Sequence, residues 1–219
     1  MFDFVRNALL FSNGQIHRNR RGPLVRSFAH KTIADLRPEI ADRVRSLIAP
    51  LSGTGVVDFV GTIAGPYPAQ VIAAIIGTQQ QDTGAFVRHV YSAIRGLSPC
   101  SDEVRAESDT DISELIKYVT GLIEDRQAKP QGDFLSAYLQ RVEDGPLSED
   151  EIRAQIVALV IAGSDTTRGA LTATVSQLLQ HPDQWALLVE DPDRWAPAAV
   201  SEGLRFDPVI GSLARITLE

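Results

Sequence analysis

One long helical pattern constrains this chain more than any other feature. From residue 148 to about 180, apolar side chains recur at helical spacing. Ser148-x-x-Glu151 opens the run as a capping box, in which the serine hydroxyl and the glutamate satisfy otherwise orphan amides. A helix of about 33 residues runs roughly 50 Å at 1.5 Å per residue, enough to span a whole domain. Midway along it stands Ala162-Gly163-Ser164-Asp165-Thr166-Thr167. A helix core normally excludes Asp, and Gly costs about 1 kcal/mol there against Ala. An acid beside two alcohols, just after a glycine, predicts a break that something uses. A threonine hydroxyl bonded back to a carbonyl can bend a helix and open a groove. Such a groove can hold water and relay protons to an oxygen bound nearby. The competing reading is a helix distorted for packing, with Asp165 facing solvent.

The rest of the chain is also dominated by helix signals. Gly22-Pro23 either interrupts the first, basic helix or marks an irregular turn in it. From 32 to 51 the apolar residues Ile33, Leu36, Ile40, Val44, Leu47 and Ile48 make one helical face, and Ser52-Gly53-Thr54-Gly55 ends it. The segment 56 to 60 reads as a strand or the start of a short helix. Residues 67 to 76 are apolar nearly all round, which predicts a buried helix closed by Gly77. Helices are expected over 82–97, about 103–127 and 133–142, with loops at 97–101 and 143–146. His181-Pro182-Asp183 punctuates the long helix, Asp191-Pro192 ends a short one, and Pro197 fits early in the last. Only 213 to 218 reads as extended. The fold class predicted is mainly α with very little strand.

Composition narrows the classes of function. Lys+Arg total 21 and Asp+Glu 28, a net charge of −7, which argues against a nucleic-acid partner. No apolar run approaches 18 residues, so no membrane span is expected. The N-terminus shows no basic leader before an apolar run. Cys100 is the single cysteine, which excludes an internal disulfide and a cysteine-based zinc site and points to a reducing cytoplasm. With its neighbours Ser98, Pro99, Ser101 and Asp102 it reads as a buried apolar cysteine or an inert surface thiol. No metal site is expected.

Two further pairs stand out. Glu202 and Arg205 are three apart and so are neighbours on a helix. The plain reading is an exposed ion pair worth tenths of a kcal/mol. His17 and Arg21, four apart, put two donors on one helical face, a geometry that suits a carboxylate or phosphate. The plain reading there is a solvated basic run that includes Arg18, Arg20 and Arg21.

Taken together, these strings resemble the cytochrome P450 family, of the bacterial soluble type. The run 156–167 is similar to that family's long central helix. Glu202-Gly203-Leu204-Arg205 with Phe206-Asp207-Pro208-Val209 is similar to the helix whose Glu–Arg pair locks the fold. His17-x-x-x-Arg21 with Leu24-Val25-Arg26-Ser27-Phe28 and Ile33-x-x-Leu36-Arg37-Pro38 is similar to the segment that binds the haem propionates. The resemblance implies one partial P450 domain over 1–219. It implies Asp165 and Thr166 as the acid–alcohol pair that delivers protons to dioxygen. Ala162 and Gly163 would lie over the haem face. His17, Arg21 and Arg215 would contact propionates, and Glu202 and Arg205 would be structural. The implied activity is haem-dependent hydroxylation of an apolar small molecule, with a redox partner as electron donor.

The departure from the family is a missing cysteine loop. Without it the chain is expected to be truncated, doubtful in haem binding and inactive alone. The alternative is a haem-free P450-like partner of another enzyme. The apolar stretch 156–162 is expected to be exposed, and to be covered in a homo-oligomer or by a partner chain.

Overall fold

The structure, a computed structural model, describes residues 2–28 and 36–212. Ten α-helices follow one another in these residues, with no strand among them: α1 Phe2–Asn7, α2 Gly14–Ser27, α3 Arg37–Ile48, α4 Pro66–Ile75, α5 Thr83–Gly96, α6 Asp102–Ala128, α7 Phe134–Val142, α8 Glu149–Gln180, α9 Pro182–Glu190 and α10 Pro192–Phe206. The extended reading of 213–218 and the first residues of the 32–51 helix lie outside the described residues.

Local chemistry sets most of the boundaries. Ser101, Asp133, Ser148 and Asp191 each accept a backbone amide in the first turn of the helix that follows. The Ser148–Glu151 capping box is complete. Gly77 takes φ +78 just past α4, a conformation that L side chains rarely adopt. Its carbonyl accepts from Arg126, which also pairs with Asp133 at 2.6 Å. This contact ties the end of α4 to α6 and to the start of α7.

One expectation is corrected and two are made specific. Gly22-Pro23 does not interrupt α2, which runs through it with Pro23 and Leu24 buried. The proline ring fixes a φ close to the helical value, and a single amide bond is lost. Of the two readings of residues 56 to 60, the start of a short helix holds and the strand does not. Asp58 accepts the Gly61 amide, and a short π-helical turn, Val60–Ala64, leads into α4. Pro197 falls early in α10, in its second turn, and Asp191 caps that helix.

The core forms around the first half of α8. Ile156, Val157 and Val160 are fully buried against Ile72 and Ile76, Phe86 and Val90, Leu115 and Val119, and Leu135 and Tyr138. The apolar stretch 156–162 is therefore mostly core rather than exposed surface, with Ile156, Val157 and Val160 fully buried and Ala162 alone exposed, since α4, α5 and α6 all pack against α8. Past Ser164, α8 has no buried residue, and neither has α9 or α10.

The N-terminal segment is fastened to the start of α8. Gln155, wholly buried, accepts from the Leu9 amide and donates to the Asn7 carbonyl. Arg20, 6% exposed, grips Glu151 with two nitrogens at 2.9 and 2.7 Å and donates to the carbonyls of Arg6 and Ala8. Arg20 is thus no member of a solvated basic run. Burial alone would raise the Glu151 carboxyl, but the Ser148 amide and the Arg20 guanidinium hold it below its ordinary value.

Candidate functional site on the long helix

The spacing of four along α8 lines up Ala158, Ala162 and Thr166 on one face. That face is open: Ala162 is exposed, and Ala158 and Thr166 are half-buried. The opposite face carries the buried Val160 and Ser164. The Thr166 hydroxyl donates to the Ala162 carbonyl at 2.6 Å, and the Ser164 hydroxyl to the Val160 carbonyl at 2.7 Å.

The predicted break in the helix is absent, and α8 is continuous from Glu149 to Gln180. A carbonyl oxygen has two lone pairs, so it accepts the hydroxyl without giving up its backbone amide partner. The glycine has a packing reason instead. A Cβ at Gly163 would come 2.5 Å from Cδ1 and 2.9 Å from Cγ1 of Ile72, so any larger residue would force the Ile72 side chain of α4 to move.

Asp165 is half-exposed and paired. Its Oδ1 lies 2.5 Å from Nη2 of Arg168, one turn further along α8. The Arg168 guanidinium sits 4.8 Å from the centre of the Tyr91 ring on α5. The Tyr91 hydroxyl donates in turn to the Gly65 carbonyl at 2.5 Å. Burial pushes the Tyr91 phenol up to about 12, with Arg168 lowering and Asp165 raising it.

The other predicted residues lie apart from this stretch. His17 is half-buried and Arg21 exposed, one turn apart on α2. The α2 ion pair to α8 is at Glu151, fifteen residues before Thr166, or about 22 Å of helix. Glu202 and Arg205 form a two-pronged, exposed ion pair on α10, at 2.8 and 2.6 Å. The hydrogen bonds from Arg205 hold the Glu202 carboxyl below its ordinary value. Gly203, between them, lies against Thr174 of α8, two turns past Thr166. Among the described residues no hydrogen bond or ion pair joins these three groups to one another. Arg215 lies outside the described residues.

Two positions at the site were not singled out from the sequence. Arg168 was legible as an i+3 partner of Asp165. Tyr91 was not, because only the packing of α5 on α8 brings it there.

An apolar concavity lies elsewhere. A groove of about 370 Å³ runs between the last turns of α8, α9 and α10, lined by Leu178, Leu187, Leu188, Trp195 and Phe206. No group of three or more His, Cys, Asp or Glu suited to a metal ion occurs among the described residues. No helix among them is long and apolar enough to cross a membrane.

These motifs and this all-helical arrangement have clear counterparts. The chain belongs to the cytochrome P450 family, whose pattern it matches over residues 85–219. It is 39% identical over its whole length to the plant-inducible cytochrome P450-pinF1 of Rhizobium radiobacter, covering 52% of that protein. It is 30% identical to the luteothin monooxygenase of Streptomyces thioluteus, over 95% of this chain and 51% of that one. Among solved structures, CalO2 matches with a TM-score of 0.86 at 30% identity, over 94% of this chain and 52% of that one. P450BioI, solved in complex with an acyl carrier protein carrying hexadec-9Z-enoic acid, matches with a TM-score of 0.82 at 30% identity, over 93% of this chain and 53% of that one. The chain thus spans about half the length of the curated relatives it matches.

Proposed function

We propose that these 219 residues form one partial domain of a haem monooxygenase that hydroxylates an apolar small molecule. The balanced reaction is RH + O2 + 2 electrons + 2 protons → ROH + H2O, with the electrons supplied by a separate redox partner. The observation that carries this reading is the open face of α8. There Thr166 holds its hydroxyl on the Ala162 carbonyl, with the half-exposed Asp165 beside it.

The residues fit a haem on one face and at its edge. Ala158 and Ala162 leave room above the open side of α8, and neither carries a side chain that would block a flat ring. Gly163 serves that face by admitting Ile72 on the flank, which seats α8 against α4. His17 and Arg21, with Arg215, would hold the two propionates through charge-assisted hydrogen bonds. Haem, when bound, supplies the iron that takes up O2 and the two electrons. Cys100, the sole cysteine of the sequence, stands half-exposed between α5 and α6.

Asp165 exchanges protons with water because it is half-exposed. Thr166 passes them inward because its hydroxyl is held in place yet keeps an acceptor lone pair. The Glu202–Arg205 pair has a structural part, bracing α10 where Gly203 meets Thr174. The exposed apolar residues of α9 and α10, rather than 156–162, are the surface that a further chain or a second copy would cover.

Haem titration tests the reading. Replacing both His17 and Arg21 by Ala should weaken haem retention several-fold, and Asp165→Asn should leave it unchanged. Equal retention in the double variant overturns the propionate assignment. The spectrum of the reduced, carbon monoxide-bound protein reports the iron ligand. A thiolate-type band from these 219 residues would make Cys100 the ligand and overturn its reading as an inert thiol.

A further inference from the structure

Tyr91, Arg168 and Asp165 form a line of contacts from α5 into the middle of α8, of which the function above uses only the last member. An exposed ion pair between residues three apart on a helix is loosely held, because both side chains keep their rotamer freedom. The pair here is different. Arg168 stacks on a ring from another helix, and a cation over an aromatic face is attracted by the ring's quadrupole. That ring is itself held, since the Tyr91 hydroxyl donates to the Gly65 carbonyl just before α4. Two helices and the turn before α4 therefore decide where the guanidinium sits. The guanidinium in turn holds one carboxylate oxygen of Asp165.

We propose that Arg168, seated on Tyr91, is a positioning residue that fixes the Asp165 carboxylate relative to the Thr166 hydroxyl. The packing of α5 on α8 then sets whether the acid is correctly aimed. Movement of α5 would pull Tyr91 from under Arg168 and release the carboxylate. The functional part of this proposal rests on Asp165 being the proton-delivering acid.

Two measurements separate the contact from its consequence. In the first, 3,5-difluorotyrosine, which ionises at lower pH than tyrosine, replaces Tyr91 in the whole chain, and its midpoint is read by fluorine NMR. Arg168→Gln should move the midpoint up and Asp165→Asn should move it down, with Arg168→Lys restoring part of the first shift. A midpoint that neither Arg168→Gln nor Asp165→Asn moves overturns the proposal. In the second, the haem-loaded protein consumes O2 with a surrogate ferredoxin and its reductase as donors. Asp165→Asn should slow consumption several-fold and raise its solvent deuterium isotope effect. Tyr91→Leu, which leaves Asp165 and Arg168 in place, should do the same in lesser degree, and Tyr91→Phe least. If Asp165→Asn acts and Tyr91→Leu does not, positioning is overturned and the acid stands. If Asp165→Asn has no effect, the acid reading falls, and the fluorine shifts alone then decide whether the contact exists.

Discussion

The two halves of α8 have similar side-chain chemistry and opposite surroundings. Between Ala154 and Ser164 one side of the helix is packed by α4, α5 and α6, and Ile156, Val157 and Val160 have no access to solvent. Beyond the Arg168–Tyr91 contact its neighbours include α9 and α10, which bury none of their own residues. Leu179, Leu187, Val189, Leu204 and Phe206 are all exposed in this second region. Polar groups follow the same division. Near the first turn of α8, Arg20 is buried on Glu151, whereas Arg205 and Glu202 pair in open solvent. Apolar periodicity thus marks a face that needs covering, and only the packing shows whether it is covered. The proposed acid and alcohol stand at the junction of the two halves, where one side of the helix is rigidly packed and the other is open.

The contrast can be broken most forcefully in the core. Ile156→Ala should cost about 2–5 kcal/mol, the usual range for a large-to-small change at a fully buried site. Leu179→Ala should stay within about 0.5 kcal/mol. Denaturant midpoints of the two variants check this, and equal midpoints would deny that the halves differ. The glycines sharpen the comparison. Gly163→Ala forces a methyl against Ile72 and should cost about 1–3 kcal/mol despite the better helix propensity of Ala. Gly169→Ala meets Val209 at 3.0 Å, where the exposed valine can yield, and should be close to neutral.

Acid should act on the packed half first. The Glu151 and Asp133 carboxyls lie below their ordinary values, held by Arg20 and the Ser148 amide, and by Arg126 and the Ser136 amide, against the opposing effect of burial. A carboxyl depressed in the folded state adds stability above its unfolded pKa and loses it as pH falls through the folded one. Melting temperature should therefore drop as pH falls below about 4.5, and Arg20→Ala should flatten that dependence. The smallest effect concerns the exposed region. Leu204→Ser with Phe206→Ser should leave stability nearly unchanged while reducing concentration-dependent association in sedimentation velocity. An unchanged association would place the sticky surface elsewhere.

Helix positions were legible from residues 37 onward because their signals are local. The capping box at Ser148, the stop at Gly77 and the loop around Pro99 each depend on a few neighbouring residues. The acid–alcohol stretch was legible as an anomaly, and the Thr166 back-bond was expected. The unbroken course of α8 was not, because a composition that tolerates a kink does not enforce one. Arg20 was misread as solvated because its partner, Glu151, is 131 residues away. Gly163 was read for a ligand, while Ile72 across the helix interface explains it in this structure.

The amino-acid sequence alone determined the helix lengths, their caps and the family, since periodicity, capping and motif spacing are properties of short stretches of chain. Tertiary structure decided which half of α8 is core, that Arg20 is buried, and that Asp165 is linked through Arg168 to Tyr91. Burial and long-range pairing depend on which surfaces meet, and that is settled only when the helices pack together.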